Sequence, residues 1–160
     1  MKKKCFLIIL SLSIIVMVSC SKDDINQDST DIPSNEQLAD NTLEKLLKGI
    51  VDKDEQSFKD IFSKQVMNED KDFDIEMEYL FDFFRGDVVS WEKYSGPIVD
   101  REKDQDKITI EIKSFYEVKT SEDDYVVFIL EYTEDTVSPE NIGVYALRIV
   151  KEEDRQTQMT

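Results

Sequence analysis

The chain has 160 residues, with 36 Asp and Glu against 20 Lys and Arg and no histidine, giving a formal charge of −16. So acidic a surface repels phosphate backbones, whose binding depends on Lys and Arg releasing counterions. It repels anionic headgroups likewise, which excludes nucleic acid and a bare lipid surface as partners.

Met1-Lys2-Lys3-Lys4 opens an apolar run from Cys5 to Ser19 that is shorter than the roughly 20 residues a spanning helix needs. Met17-Val18-Ser19-Cys20 closes it in the layout of a bacterial lipoprotein signal, so residues 1–19 are expected to be cleaved and Cys20 lipidated. Loss of Lys2, Lys3 and Lys4 takes the charge from −16 to −19. With Cys5 removed and Cys20 acylated, no disulfide forms within one chain, and stability rests on an ordinary core. Residues 20–33 form a flexible acidic tether. Its Lys22-Asp23-Asp24 resembles a surface-export tag. Residues 34–153 make one α+β domain, and 154–160 are a polar tail.

Ser34 and Gln37 form a capping-box pattern, and Leu38, Thr42, Leu43, Leu46, Leu47 and Ile50 recur at helical spacing. A first helix is expected from about Asn35 to Val51. Asp52-Lys53-Asp54 offers an N-cap to a second helix carrying Phe58, Ile61 and Phe62. Phe73, Met77, Leu80, Phe81 and Phe84 stripe a third, stopped at Gly86.

From Val88 the period changes to two. Strands are expected near Val88–Tyr94, Lys107–Lys119, Tyr125–Thr133 and Val144–Val150. Ser95–Asp106, with Gly96-Pro97 and a charge run, reads as a loop, and Thr120–Asp124 as a hairpin turn. Simple hairpins then set Tyr116 opposite Phe128, Ser114 opposite Leu130 and Ile112 opposite Tyr132, with Leu130 opposite Leu147. One apolar face results, from Ile108, Ile110, Ile112, Ser114, Tyr116 and Val118 through Val126, Phe128, Leu130 and Tyr132 to Tyr145, Leu147 and Ile149. The helices cover it.

This order resembles the cystatin-like cone of the nuclear-transport-factor-2-like superfamily: three N-terminal helices on a curved four-stranded antiparallel sheet. Tyr79-Leu80-Phe81-Asp82-Phe83-Phe84 with Gly86, Val88-Val89-Ser90-Trp91, and Tyr132-Thr133-Glu134-Asp135-Thr136 followed by Pro139, Asn141, Gly143 and Tyr145 are similar to a family of uncharacterised bacterial lipoproteins with that domain. The resemblance implies a fold and an address, and no catalytic residues.

Enzymes on such cones generally place a titratable group inside the cavity. Here the expected inner face carries hydroxyls and no carboxylate, so the domain reads as non-catalytic and without a cofactor. Asp100, Glu102, Asp104, Asp106 and Glu111 fall at calcium-loop offsets, but Gln105 replaces the glycine the turn requires, so no metal is assigned and the run reads as a solvated loop. Trp91, Ser114, Tyr116, Tyr132 and Tyr145 are candidate pocket residues for a largely neutral ligand, with Trp91 at the mouth. Phe115, Ile129 and Arg148 mark the outer face as a candidate homodimer interface. The expected role is a tethered, extracytoplasmic binding or assembly module of the cell envelope, with an envelope protein or a small ligand as partner. The alternatives are a histidine-free enzyme and a lipoprotein that neutralises a toxin.

Mass spectrometry of the mature protein is expected to find diacylglycerol on an N-terminal Cys20. A mature terminus elsewhere, or a Cys20→Ala form still processed and acylated, contradicts this assignment.

Overall fold

The computed structural model describes residues 33–155. The signal, the lipidation site Cys20, nearly all of the tether and the end of the tail lie outside the described residues.

Helix α1 (Asn35–Asp52) begins on the expected capping box: Ser34 Oγ accepts the Gln37 N–H at 3.2 Å, and the Ser34 N–H donates to Gln37 Oε1 at 2.8 Å. It buries Ala39, Leu43, Leu46, Leu47 and Ile50, and Lys53 closes it in the left-handed region. Asp54 Oδ1 accepts the Ser57 N–H to start α2 (Glu55–Lys59), whose Phe58 is fully buried. Among the described residues four helices precede the sheet, not three. The additional one, α3 (Lys64–Glu69), is capped by Ser63, whose Oγ accepts the Val66 N–H. It is short and buries no residue fully, which left its apolar spacing too sparse to stand out. Helix α4 (Phe73–Phe83) buries Phe73, Met77 and Phe81. Phe58, Phe62, Phe73 and Phe81 pack with ring centroids 4.8–6.4 Å apart, joining α2 to α4.

The sheet is an antiparallel meander in the order β1 (Val88–Asp104), β2 (Lys107–Thr120), β3 (Asp124–Asp135), β4 (Gly143–Lys151), open at β1 and β4. The expected loop at Ser95–Asp106 is mostly strand. Because β1 is an edge, Pro97 sacrifices no essential ladder bond, and register shifts between Lys93 and Ile98 absorb Gly96-Pro97. Asp100, Glu102 and Asp104 therefore stand along a strand opposite Glu111, Thr109 and Lys107, with a tight turn at Gln105 and Asp106. The solvated-loop reading is corrected accordingly.

A second correction concerns register. Tyr116 pairs with Val127, Ser114 with Ile129 and Ile112 with Glu131, each one residue away from expectation. The cause is the turn. The Thr120 hydroxyl accepts the N–H groups of Asp123 (2.9 Å) and Glu122 (3.2 Å), and the Thr120 N–H donates to the Asp123 carbonyl, so the loop closes over four residues instead of five. A one-residue slip turns a strand over. Tyr125, Val127, Ile129 and Glu131 thus face the helices with Ser114 and Tyr116, while Phe128, Leu130 and Tyr132 face outward. Strand β4 slips against β3 in turn, pairing Ile129 with Leu147, so Leu147 and Ile149 keep their expected inward face.

The α2–α3 link is stitched to the start of β4. The Ser63 N–H donates to the Val144 carbonyl at 2.9 Å and the Val144 N–H to the Ile61 carbonyl at 3.0 Å. This approach requires Gly143, whose φ is +119° and where a Cβ would stand 3.0 Å from Ile61 O and Ser63 N. Gly143→Ala is expected to destabilise the domain by about 2–4 kcal/mol in denaturant titration, combining backbone strain with a backbone clash. A loss below about 0.5 kcal/mol would show that the link does not need so close an approach.

Candidate functional site

The inward turn of β3 brings Glu131 beneath α1. It is only 6 % exposed, and its Oε2 accepts the Thr42 hydroxyl at 2.8 Å. Among the described residues its Oε1 has no hydrogen-bond partner. Thr42 sits within the apolar stripe of α1, so a hydroxyl there is carried inward and must find an acceptor on the sheet.

Beside this pair runs a second polar link. The Tyr116 hydroxyl donates to Asp40 Oδ1 at 2.9 Å, and Lys93 Nζ lies 3.1 Å from the same carboxylate and 3.8 Å from Glu36. Burial, then Asp40, pushes the Tyr116 phenol well above its usual range, which keeps it a protonated donor. Ser114, fully buried between the two links, has no hydrogen-bond partner for its Oγ among the described residues. Glu131 also holds its proton more tightly than an ordinary glutamate. Burial is the cause, and the Thr42 hydrogen bond and the charge of Lys45 oppose it.

Glu131 and Thr42 open onto a cleft of about 640 Å³ between α1, α2, the end of β3 and the start of β4. Its rim carries Lys45, Lys48, Asp52, Asp54 and Asp60, and its apolar wall Leu38, Ile61 and Ile142. The volume suits a small organic molecule, and a convergent polar group on an apolar wall is how such molecules are oriented. A second groove, about 550 Å³, runs along the β4 edge against Phe62, Val66, Phe73, Leu80 and Phe83.

The candidate pocket residues divide. Trp91, Ser114 and Tyr116 lie together on the inner face, where the Trp91 ring meets Tyr116 edge-on at 5.6 Å. Trp91 packs there as core and does not line the cleft. Tyr132 and Tyr145 pair with each other, edge to face at 5.4 Å, apart from the other three. Burial, then Glu111, pushes the Tyr132 phenol up to about 12. Of the candidate interface residues, Phe115 does face outward, packed on Phe128 at 4.9 Å, and Arg148 pairs with Phe128 there. Ile129 does not, because the slip places it fully buried in the core. The expectation of an inner face without a carboxylate is corrected by Glu131, and the preference for a neutral ligand loses its premise. Glu131, Asp40, Thr42 and Lys93 were missed as site residues. The signals for them were the polar Thr42 in an apolar stripe and the Thr120–Asp123 turn chemistry.

The raised affinity of Glu131 for its proton makes a stability prediction. The native state then binds a proton that the unfolded chain has released, so stability falls as pH rises from the usual glutamate range through the folded titration point. Glu131→Gln is expected to remove this slope, stabilising the domain at neutral pH and converging with the wild type in acid. Thr42→Val, which strips Oε2 of its donor, is expected to cost about 1–3 kcal/mol and to steepen the slope. Thermal melts across pH read both, and parallel profiles for wild type and Glu131→Gln would refute a buried, proton-retaining carboxyl.

Among curated proteins, none matches this chain. Residues 45–152, which run from the middle of α1 to the end of β4 and take in both Glu131 and the rim of the cleft, match the model of the domain of unknown function DUF5104, and the protein is a member of that family.

Proposed function

We propose that this protein is a lipid-anchored, extracytoplasmic module that binds a small ligand in the cleft over Glu131, on a domain of the nuclear-transport-factor-2-like, cystatin-like kind. The address is supported by the Lys2–Lys4 start, the short apolar run and Cys20. Among the described residues no helix is long and apolar enough to cross a membrane. The cone kinship is supported by helices that precede a four-stranded antiparallel sheet and pack on one face of it.

The observation that carries the binding reading is Glu131 Oε1. A buried polar atom without a partner is costly, and Oε1 lies covered beneath a cleft that Glu131 itself lines, so a ligand that shifts this cover satisfies it. The same carboxyl supports a second reading, a histidine-free enzyme in which Glu131 serves as general acid or base. Binding is favoured because the neighbouring titratable group is already committed: the Tyr116 hydroxyl is held by Asp40.

Gentle extraction of the full-length protein from membranes, followed by native mass spectrometry, is expected to show a non-covalent small molecule retained by the wild type. That molecule is expected to return chemically unchanged after incubation with fresh protein. Its steady conversion would establish the enzymatic reading, and a ligand-free protein at every ligand supply, with partners captured only through the outer face, would overturn both.

A further inference from the structure

We infer that the ligand of this cleft carries an ammonium group and that Glu131 receives it, an inference that rests on the reading of the cleft as a ligand site. Three observations converge. The first is the shape of the acceptor. Thr42 already occupies Oε2, leaving Oε1 as a one-point acceptor, which suits a compact ammonium better than the two-pronged guanidinium that takes both oxygens together.

The second is charge. Once Glu131 is ionised, a ligand hydroxyl would satisfy Oε1 but leave the buried negative charge uncompensated, whereas an ammonium meets the hydrogen bond and the charge at once. Four carboxylates line the cleft, Asp52, Asp54, Asp60 and Glu131, against Lys45 and Lys48. Lys48 is already paired with Asp52. Asp54 and Asp60 accept from neutral donors, Ser57 and Gln56, which leave their charge in place at the cleft lining.

The third is what surrounds Glu131. From α1 it meets Thr42 and the opposing charge of Lys45, and from β2 it senses the neutral phenol of Tyr116. Lys45 is exposed on the helix surface, so its partial compensation is screened by water. Among the described residues no buried cation therefore stands beside a carboxylate that burial disfavours, and the ligand supplies it.

Binding of an ammonium requires ionised Glu131, so it displaces the proton that burial retains. Affinity is then expected to rise with pH, by up to about tenfold per unit, until Glu131 is fully ionised. A neutral ligand held by the protonated acid would bind more weakly as pH rises.

Three ring-matched probes test this on the full-length protein: cyclohexylamine, cyclohexanol and cyclohexanecarboxylate, each titrated at millimolar concentration and followed by heteronuclear NMR at the Thr42 and Glu131 amides. Cyclohexylamine is expected to bind at least about tenfold more tightly than cyclohexanol, with the carboxylate weakest, and Glu131→Gln is expected to abolish that preference. The pH dependence in the wild type provides the same answer without any variant. Equal binding of amine and alcohol, a preference that survives Glu131→Gln, or affinity that falls with rising pH would overturn the ammonium assignment while leaving a ligand cleft in place. Failure of all three probes to move cleft resonances would overturn the ligand reading itself.

Discussion

The Thr120 hydroxyl gathers the N–H groups of Glu122 and Asp123 and so closes β2 onto β3 over four residues. Every side chain of β3 takes its face from that closure. With it, Val127 and Ile129 enter the core beside Tyr116, and Glu131 comes to lie under Thr42. A turn longer by one residue would bury Phe128 and Leu130 and carry Glu131 into water, leaving the inner face of the sheet with hydroxyls and no carboxylate. The chemistry of the cleft is therefore decided in a loop at the far end of the β2–β3 hairpin from it.

Between α1 and the sheet this produces a graded interface. Leu43, Leu46, Leu47 and Ile50 meet Val118, Val127 and Val144 in dry packing, while Asp40 and Thr42, nearer the helix start, reach Tyr116, Lys93 and Glu131. The polar links cost desolvation that an all-apolar seam would avoid, and the unpartnered atoms of Ser114 and Glu131 add to it. Of the two, Glu131 lines the cleft and Ser114 does not. The rest of the domain offsets this cost through ordinary means, among them Tyr125, whose hydroxyl accepts the Arg85 N–H and donates to the Phe83 carbonyl to fix the end of α4.

Much of this was legible in the chain itself. The Ser34–Gln37 box, the stripe of α1, the cap at Asp54 and the alternation of β2 report their structures directly, because each is a local rule. Helix α3 was hidden by its brevity, and the second half of β1 by Gly96-Pro97, whose presence signals a loop except on an edge strand, where a bulge absorbs it. The register of β3 was not legible from hydropathy, since Val126, Val127, Phe128, Ile129 and Leu130 are apolar without interruption and give neither face an advantage. Only the turn decides between them. The candidate site failed for that reason: Ser114 and Tyr116 were found on a strand of clear alternation, whereas Glu131 belonged to the strand without one.

The stitching of Ile61 and Ser63 to Val144 bears on how the molecule behaves in a crowd. An open meander leaves two rows of backbone groups able to recruit strands from neighbouring chains. At the start of β4 two of those groups are already occupied by the α2–α3 link, and β1 defends its own margin with Pro97, three register shifts and the alternating charges of Asp100, Arg101, Glu102 and Lys103. Copies held side by side at high local density are thereby denied a continuous margin on which to polymerise.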